Sequence, residues 1–281
     1  MVTSSQRTIY GTQLALCKLT GANYHVKANT TLNEKYGILD DEVDIYLRND
    51  NYPYLKYMGI GIGGSDTITD IEGFTYSKHS AIDGAPFQQI PFVLRLRHLD
   101  LTPEERAQYR FRKTMYINNI EYVAYYLKVL DDISVHGELY NVSRLGEEQT
   151  LSLFSTSNDK ILNPVPVDKS HLLNDVLNSE YVTALCKVKV NFEQTDLERL
   201  EEVFKILGYT TPANITEIVL CTGIETTSNE PDTGSEYLEA KCVQVNYHIG
   251  MDLEMSTLIP EGKPVRRNIE IGGSEPYYYK N

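Results

Sequence analysis

The stretch YLKYMGIGIGGSDT, residues 54–67, has the spacing G-x-G-x-x-G through Gly59, Gly61 and Gly64. In dinucleotide-binding folds this spacing closes a turn between a strand and a helix, and the pyrophosphate lies against the N–H groups of that helix. Here the residues after Gly64 are SDTITDIEGFTYS, in which β-branched side chains and Gly73 disfavour a helix. We therefore predict that the glycines belong to a strand enclosed by neighbouring strands, and that no nucleotide cofactor binds there.

The aromatic composition favours strands elsewhere in the chain. Its 281 residues include 21 tyrosines and 7 phenylalanines but no tryptophan, and many of the tyrosines lie among β-branched residues. The predicted fold class is mainly β, with a minor α+β character. It consists of β-sandwich-like units with two or three short helices.

The predicted division of the chain follows turn-rich and polar stretches. Residues 1–50 are interpreted as an irregular N-terminal arm with one short helix at 32–36. Residues 51–143 form a first β-rich unit, 144–180 a polar connection, and 181–281 a second β-rich unit with one helix and a tyrosine-rich tail.

Local signals place two helices and one hairpin within these units. Thr102, Pro103 and Glu105 have the pattern of a capping box with proline in the first turn. A second capping box is predicted from Thr195 to Glu198, followed by a helix that ends at Gly208. Two β-rich runs meet at 118–119, where two asparagines tolerate the positive φ angles of a tight hairpin turn.

The charge and cysteine content exclude several classes of function. The net charge of −13 gives no counterion-release drive for nucleic acid, so no direct nucleic-acid partner is expected. The chain has no run of 18 apolar residues, so no membrane partner is expected either. The cysteines are far apart, with no C-x-x-C pair, and are interpreted as reduced, buried thiols of a protein made in a cytoplasm: Cys17, Cys186, Cys221 and Cys242.

No familiar catalytic pattern is present. The chain has no G-x-S-x-G elbow, H-E-x-x-H motif or Walker lysine, and its six histidines are scattered singly. The prediction is that the protein is not an enzyme, with no catalytic residues, no metal ligands and no cofactor.

Basic residues are concentrated in one part of this acidic chain, and they are candidates for an interface with an acidic partner or a second copy: Arg95, Arg97, Arg106, Arg110 and Arg112. Asp100, Glu104 and Glu105 lie among them, so intramolecular ion pairing is an equally weighted alternative.

The chain ends in GGSEPYYYKN, which places three consecutive tyrosines, Tyr277, Tyr278 and Tyr279, after a Gly-Gly-Ser hinge. Exposed tyrosines are enriched at protein interfaces. Both a docking arm and a tail packed on its own domain are consistent with this pattern.

Two parts of the sequence together resemble a group of virion structural proteins of tailed bacteriophages, from the tail, baseplate or neck. The first is YLKYMGIGIGG followed by APFQQIPFVLRLRHLDLTPEERAQYRFRKTMYINNIEYVAYYLKVLD, and the second is ITEIVLCTGIE followed by YLEAKCVQVNYHI. The resemblance implies a structural subunit present in several copies. Its partners would be copies of itself and other virion proteins, and its location the virion, after synthesis in the host cytoplasm. A β-sandwich module for carbohydrate binding or fibre attachment is the alternative.

Overall fold

The computed structural model describes most of the chain in separate stretches: residues 8–27, 30, 32–35, 43–46, 52–63, 67–69, 75–77, 84–130, 132–133, 137–145, 148–154, 162, 181–210, 214–229, 236–254 and 263–276. These residues form a mainly β fold built from antiparallel sheets, as predicted. No helix in these stretches is long and apolar enough to cross a membrane.

The described residues include four α-helices: α1 (Ile9–Thr20), α2 (Leu32–Lys35), α3 (Pro103–Arg106) and α4 (Gln194–Ile206). The last three lie where helices were predicted. Helix α1 contradicts the interpretation of residues 1–50 as an irregular arm. The Thr8 hydroxyl accepts a hydrogen bond from Gly11 N at its start, and Gly21 ends it with a φ of 72°. The buried face of α1 is half polar, so it has no apolar stripe that sequence periodicity could detect.

The strands in the described part of the chain are mostly short at its start and long towards its end: β1 (Tyr24–Val26), β2 (Val43–Ile45), β3 (Tyr54–Gly61), β4 (Thr67–Thr69), β5 (Thr75–Ser77), β6 (Gln89–Ile90), β7 (Val93–Leu96), β8 (Tyr109–Ile117), β9 (Ile120–Val129), β10 (Asp132–Ile133), β11 (Glu138–Leu145), β12 (Glu148–Leu153), β13 (Tyr181–Phe192), β14 (Asn214–Asn229), β15 (Glu236–Glu254) and β16 (Val265–Pro276). A 3₁₀ turn, Arg97–Leu99, follows β7.

The chain divides into two compact units, each made of discontinuous segments. Unit 1 comprises 1–49, 133–188 and 269–281, and unit 2 comprises 50–132 and 189–268. This grouping differs from the predicted linear units 51–143 and 181–281. The reason is strand pairing, because Glu217–Gly223 of β14, from the second half of the chain, pair with β3 from the first half.

Unit 2 is built around a seven-stranded antiparallel sheet with the order β15-β14-β3-β9-β7. Strand β6 adds to β3 and strand β8 adds to β9. Helix α4 packs on this sheet through an apolar cluster that includes Leu94, Ala124 and Val203. The cluster explains the apolar face of α4, which buries Leu197, Leu200, Val203 and Phe204.

Unit 1 contains a five-stranded sheet with the order β10-β13-β11-β12, in which β16 also pairs with β13. Strand β11 pairs antiparallel with both β12 and β13. A two-stranded sheet of β1 and β2 belongs to the same unit. Strand β12 therefore forms one edge of the five-stranded sheet.

The predicted local signals are confirmed with one correction. Thr102 and Glu105 form the capping box of α3, and the β8–β9 turn has positive φ at Asn118 (49°) and Asn119 (63°). The capping box of α4 joins Glu193 to Asp196, two residues before the predicted Thr195–Glu198 pair. The shift arises because Asp196 is buried and paired with the sheet, which fixes where the helix begins.

Candidate functional site

The glycine-rich stretch is enclosed by strands at the positions that can be described. Gly59 lies opposite Val219 of β14, and Gly61 lies opposite Glu217 of β14 and Gln89 of β6. A Cβ atom added to Gly59 would lie 2.8 Å from Val219 Cγ2, and one added to Gly61 would lie 2.6 Å from the carbonyl oxygen of Phe87. The close-packed strand is thus confirmed for both glycines, while Gly64 lies outside the described residues. The next element after β3 is a strand, β4, where a dinucleotide fingerprint would require a helix.

All five candidate interface arginines lie in ion pairs within unit 2. Arg95 pairs with Glu202, Arg97 with Glu121, Arg110 with Glu225, and Arg106 and Arg112 both pair with Asp100. Each of these arginines therefore forms the intramolecular ion pair that was the alternative to an interface. Arg95 is the most exposed, with 38% of its side chain accessible, and its 3.6 Å contact is the longest. Participation of these arginines in an interface stays a prediction.

Asp100 is the centre of the most connected of these pairs. Its Oδ2 atom accepts from Arg112 Nη2 at 2.9 Å and lies 3.1 Å from Arg106 Nη2, while Oδ1 accepts from the Tyr125 hydroxyl and from Leu101 N. The carboxylate is 10% exposed. Burial, followed by the hydrogen bond to Asp100, raises the pKa of Tyr125, so this phenol stays protonated and remains a donor.

A second buried network, which sequence patterns did not reveal, connects helix α4 to the sheet of unit 2. Asp196 accepts hydrogen bonds from Lys128 Nζ at 2.5 Å, from the Tyr109 hydroxyl at 2.8 Å and from Glu193 N at 2.8 Å. Arg199 Nη1 donates to the Tyr109 hydroxyl and Nη2 donates to Glu105. The only sequence signal was an acidic residue in the first turn of a predicted helix, which is common on exposed helices.

Burial and the nearby Asp196 carboxylate raise the pKa of Tyr109. The Tyr109 phenol therefore stays a donor, and the Asp196 carboxylate accepts three hydrogen bonds inside the protein. That arrangement stabilises the attachment of α4 to β8 and β9, and it resembles a structural ion pair more than a reactive group presented to a substrate.

The described residues contain no group of three or more histidine, cysteine, aspartate or glutamate side chains that could hold a metal ion. The tyrosine tail, Tyr277, Tyr278 and Tyr279, lies outside the described residues. Both the docking arm and the tail packed on its own domain therefore stay predictions.

The edge strand β12 of unit 1 is exposed over its last four residues. Thr150, Leu151, Ser152 and Leu153 are all exposed, with Leu151 at 54% and Leu153 at 65%. Since successive side chains of a strand point to opposite faces, both faces of β12 are accessible here. One edge pairs with β11, and no other described strand pairs with β12.

The β8–β9 hairpin of unit 2 exposes large side chains on both of its faces. Phe111, Tyr116 and Ile120 are 49%, 70% and 47% exposed, and Tyr116 donates a hydrogen bond to Glu121, the partner of Arg97. Large side chains at this exposure supply contact area to a binding partner.

The comparison with known proteins gives one match. A family model described as "Family of unknown function (DUF7208)" matches residues 2–281. The chain belongs to this family. No curated protein and no solved structure matches it. The description of DUF7208 assigns no activity.

Proposed function

We propose that this protein is a structural subunit of a tailed-bacteriophage virion, which assembles in several copies in the tail, baseplate or neck through protein–protein interfaces. The observation that carries the assembly part of the proposal is the edge strand β12, exposed on both faces at Thr150–Leu153. The virion part rests on the sequence resemblance described above.

An exposed edge strand presents backbone N–H and C=O groups that can pair with a strand of another chain. Monomeric proteins block such edges with charged residues, proline or a bulge. Residues 149–158, QTLSLFSTSN, contain no charged residue and no proline, although the whole chain carries a net charge of −13. These residues therefore add no charge repulsion to a contact between two copies at this edge.

The second contribution comes from the exposed side chains of the β8–β9 hairpin, above all Tyr116. The turn is fixed by Asn118 and Asn119, and Tyr116 is held by its hydrogen bond to Glu121. A rigid aromatic side chain loses little conformational entropy on binding, which suits an assembly contact. The arginine network would then serve rigidity within the subunit, because its cations are already paired internally.

The assembly part is tested by light scattering of the purified chain across a range of concentrations, alone and with its virion neighbours. We expect higher-order species, and we expect the double substitution Leu151→Lys and Leu153→Lys to reduce them at least tenfold in association constant. Leu99→Lys is the matched control, since Leu99 is 60% exposed in unit 2, and it should leave the association unchanged. A wild-type chain that stays monomeric under all these conditions would contradict the proposal.

The virion part is tested separately, by mass spectrometry of purified particles from the phage whose genome encodes this chain. We expect its peptides in amounts that correspond to several copies per particle. Particles that lack these peptides would overturn the virion assignment and leave the β12 association to be judged by the scattering experiment.

A carbohydrate-binding module is the second candidate, and the exposure of Tyr46 (78%) and Tyr116 (70%) favours it, since accessible phenol rings can stack on sugars. A glycan array separates the two functions. Specific binding that is lost in Tyr116→Ala or Tyr46→Ala, by a chain that remains monomeric, would favour the module.

A further inference from the structure

Two buried thiols of unit 1 lie against the same glycine. A Cβ atom added to Gly137 would lie 2.6 Å from Cys17 Sγ and 3.4 Å from Cys186 Sγ, so both sulfur atoms are on the same side of this residue. Both cysteines are 0% exposed, and neither forms a disulfide in this structure. Any larger residue at 137 would displace Cys17.

Helix α1 positions Cys17 at this point through a stripe of buried residues. Gln13, one turn before Cys17, donates a hydrogen bond from Nε2 to the carbonyl oxygen of Gly137 at 2.7 Å. Thr20, less than one turn after Cys17, donates from its hydroxyl to Cys186 Sγ at 3.4 Å. Residues at these spacings share one face of a helix. The contacts of α1 on both sides of Cys17 therefore fix its sulfur beside that of Cys186.

The surroundings of the pair keep the Cys17 sulfur atom protonated. Cys17 Sγ donates to the carbonyl oxygen of Asn23 at 3.4 Å, and a hydrogen bond with Cys186, together with burial, raises the pKa of Cys17. Only a thiolate attacks a disulfide, so reaction at neutral pH is slow while α1 is packed. It becomes faster when α1 opens locally, which exposes Cys17 to solvent.

We propose that Cys17 and Cys186 are a built-in cross-linking site, which closes to an intramolecular disulfide when the protein meets a low-molecular-weight disulfide such as oxidised glutathione. One cysteine thiolate attacks a sulfur atom of the oxidant and expels a first thiolate. The second cysteine then attacks the mixed disulfide on the protein and expels the second. The two cysteines lose two electrons and two protons, and the oxidant is reduced to two thiols.

The same pair is a poor metal site, since two sulfur ligands fall short of the four of a structural zinc centre and the described residues supply no third or fourth ligand nearby. The disulfide would join α1 to β13 across about 170 residues of chain, and a loop of that length loses much conformational entropy in the unfolded state. The inference does not depend on the proposed function, because it concerns unit 1 of a single chain.

The experiment uses the full chain, incubated with oxidised glutathione at pH 8 and a few degrees below its Tm, so that α1 opens. Free thiols are then alkylated and the protein is digested without reduction. We expect a linked peptide that contains Cys17 and Cys186, a rise in Tm of about 5–10 °C, and reversal of both by dithiothreitol.

Cys221→Ser is the matched control, since Cys221 is buried in unit 2, and it should give the same linked peptide and the same rise in Tm. In Cys186→Ser both should be lost, with a glutathione adduct on Cys17 instead. Separate glutathione adducts on Cys17 and Cys186 of the wild-type chain would overturn the proposal. The proposal would also be overturned if the linked peptide formed but Tm fell. It would be overturned as well if the folded chain did not react with oxidised glutathione in a time that fully oxidises the denatured chain.

Discussion

The Nζ atom of Lys128 lies 2.5 Å from Oδ2 of Asp196, and the two side chains are 5% and 2% exposed. Lys128 comes from β9 of the sheet and Asp196 from the first turn of α4, so one ion pair fixes where the helix begins against the sheet. Taking two charges out of water costs free energy that their attraction only roughly offsets, whereas removing one partner leaves a buried charge without compensation.

We predict that Asp196→Asn lowers the free energy of unfolding by about 3–5 kcal/mol, measured by urea denaturation at neutral pH. Glu198→Gln, on the exposed face of the same helix, is the control and should change it by less than about 0.5 kcal/mol. The double variant Lys128→Met, Asp196→Leu should recover part of the loss. A loss in Asp196→Asn no larger than that of the control would contradict the role assigned to this pair.

A second prediction concerns the pH dependence of stability at Glu225. Burial alone would raise the pKa of Glu225. The hydrogen bond and the positive charge of Arg110 outweigh burial, so the pKa of Glu225 lies below its ordinary value of 4.5. Because the folded-state pKa is the lower one, the stabilisation is fully present above about pH 4.5 and is lost as the pH falls through the folded-state value.

The variant Glu225→Gln should therefore be less stable than the wild type by a constant amount from pH 8 to 5, and the difference should shrink as the pH falls below 4.5. Urea denaturation at several pH values measures both effects. If the difference in stability stays constant down to pH 3, the ionised carboxylate of Glu225 does not stabilise the folded protein.

A third prediction tests the enclosed glycine strand. Gly61→Ala should destabilise the protein by about 1–3 kcal/mol or more, because the new methyl group would lie 2.6 Å from the backbone oxygen of Phe87, which cannot rotate away. Gly84→Ala is the control, since a Cβ atom there meets nothing within 4 Å. Thermal unfolding of the two variants gives the comparison, and equal Tm values would argue against close packing at Gly61.

A fourth prediction concerns the β8–β9 turn. Asn119 has a φ of 63°, which glycine adopts without strain, and Asn-Gly is the preferred pair in a turn with two positive φ angles. Asn119→Gly should therefore raise the free energy of unfolding by about 0.4–1 kcal/mol, and Asn119→Val should lower it. Thermal denaturation measures the stability of both variants. If Asn119→Val were more stable than Asn119→Gly, this turn geometry would be excluded.

Local chemistry made much of the fold predictable from sequence. The β-branched residues after Gly64 identified β3 as part of a sheet, the Thr102–Glu105 pair marked the start of α3, and the paired asparagines marked the hairpin. Each of these signals depends on residues that are only a few positions apart, so the local sequence is enough to predict the element. The mainly β class followed from such signals together.

The elements that sequence reasoning missed depend on distant partners. Gln13 and Thr20 are buried in α1 because Gly137 and Cys186 supply their hydrogen-bond partners, and no local pattern contains that information. Asp196 is buried because Lys128 lies opposite it. The two compact units differ from the predicted linear division for the same reason, since the pairing of β14 with β3 connects segments more than 150 residues apart.

Strand β14 also sets the order of events during synthesis. The central sheet of unit 2 needs β14 between β3 and β15, and the five-stranded sheet of unit 1 needs β16 beside β13. Neither sheet can therefore form in full before these late strands have left the ribosome. The nascent protein must keep its early strands soluble until then, and a premature stop codon before β14 would release a chain in which both sheets lack strands.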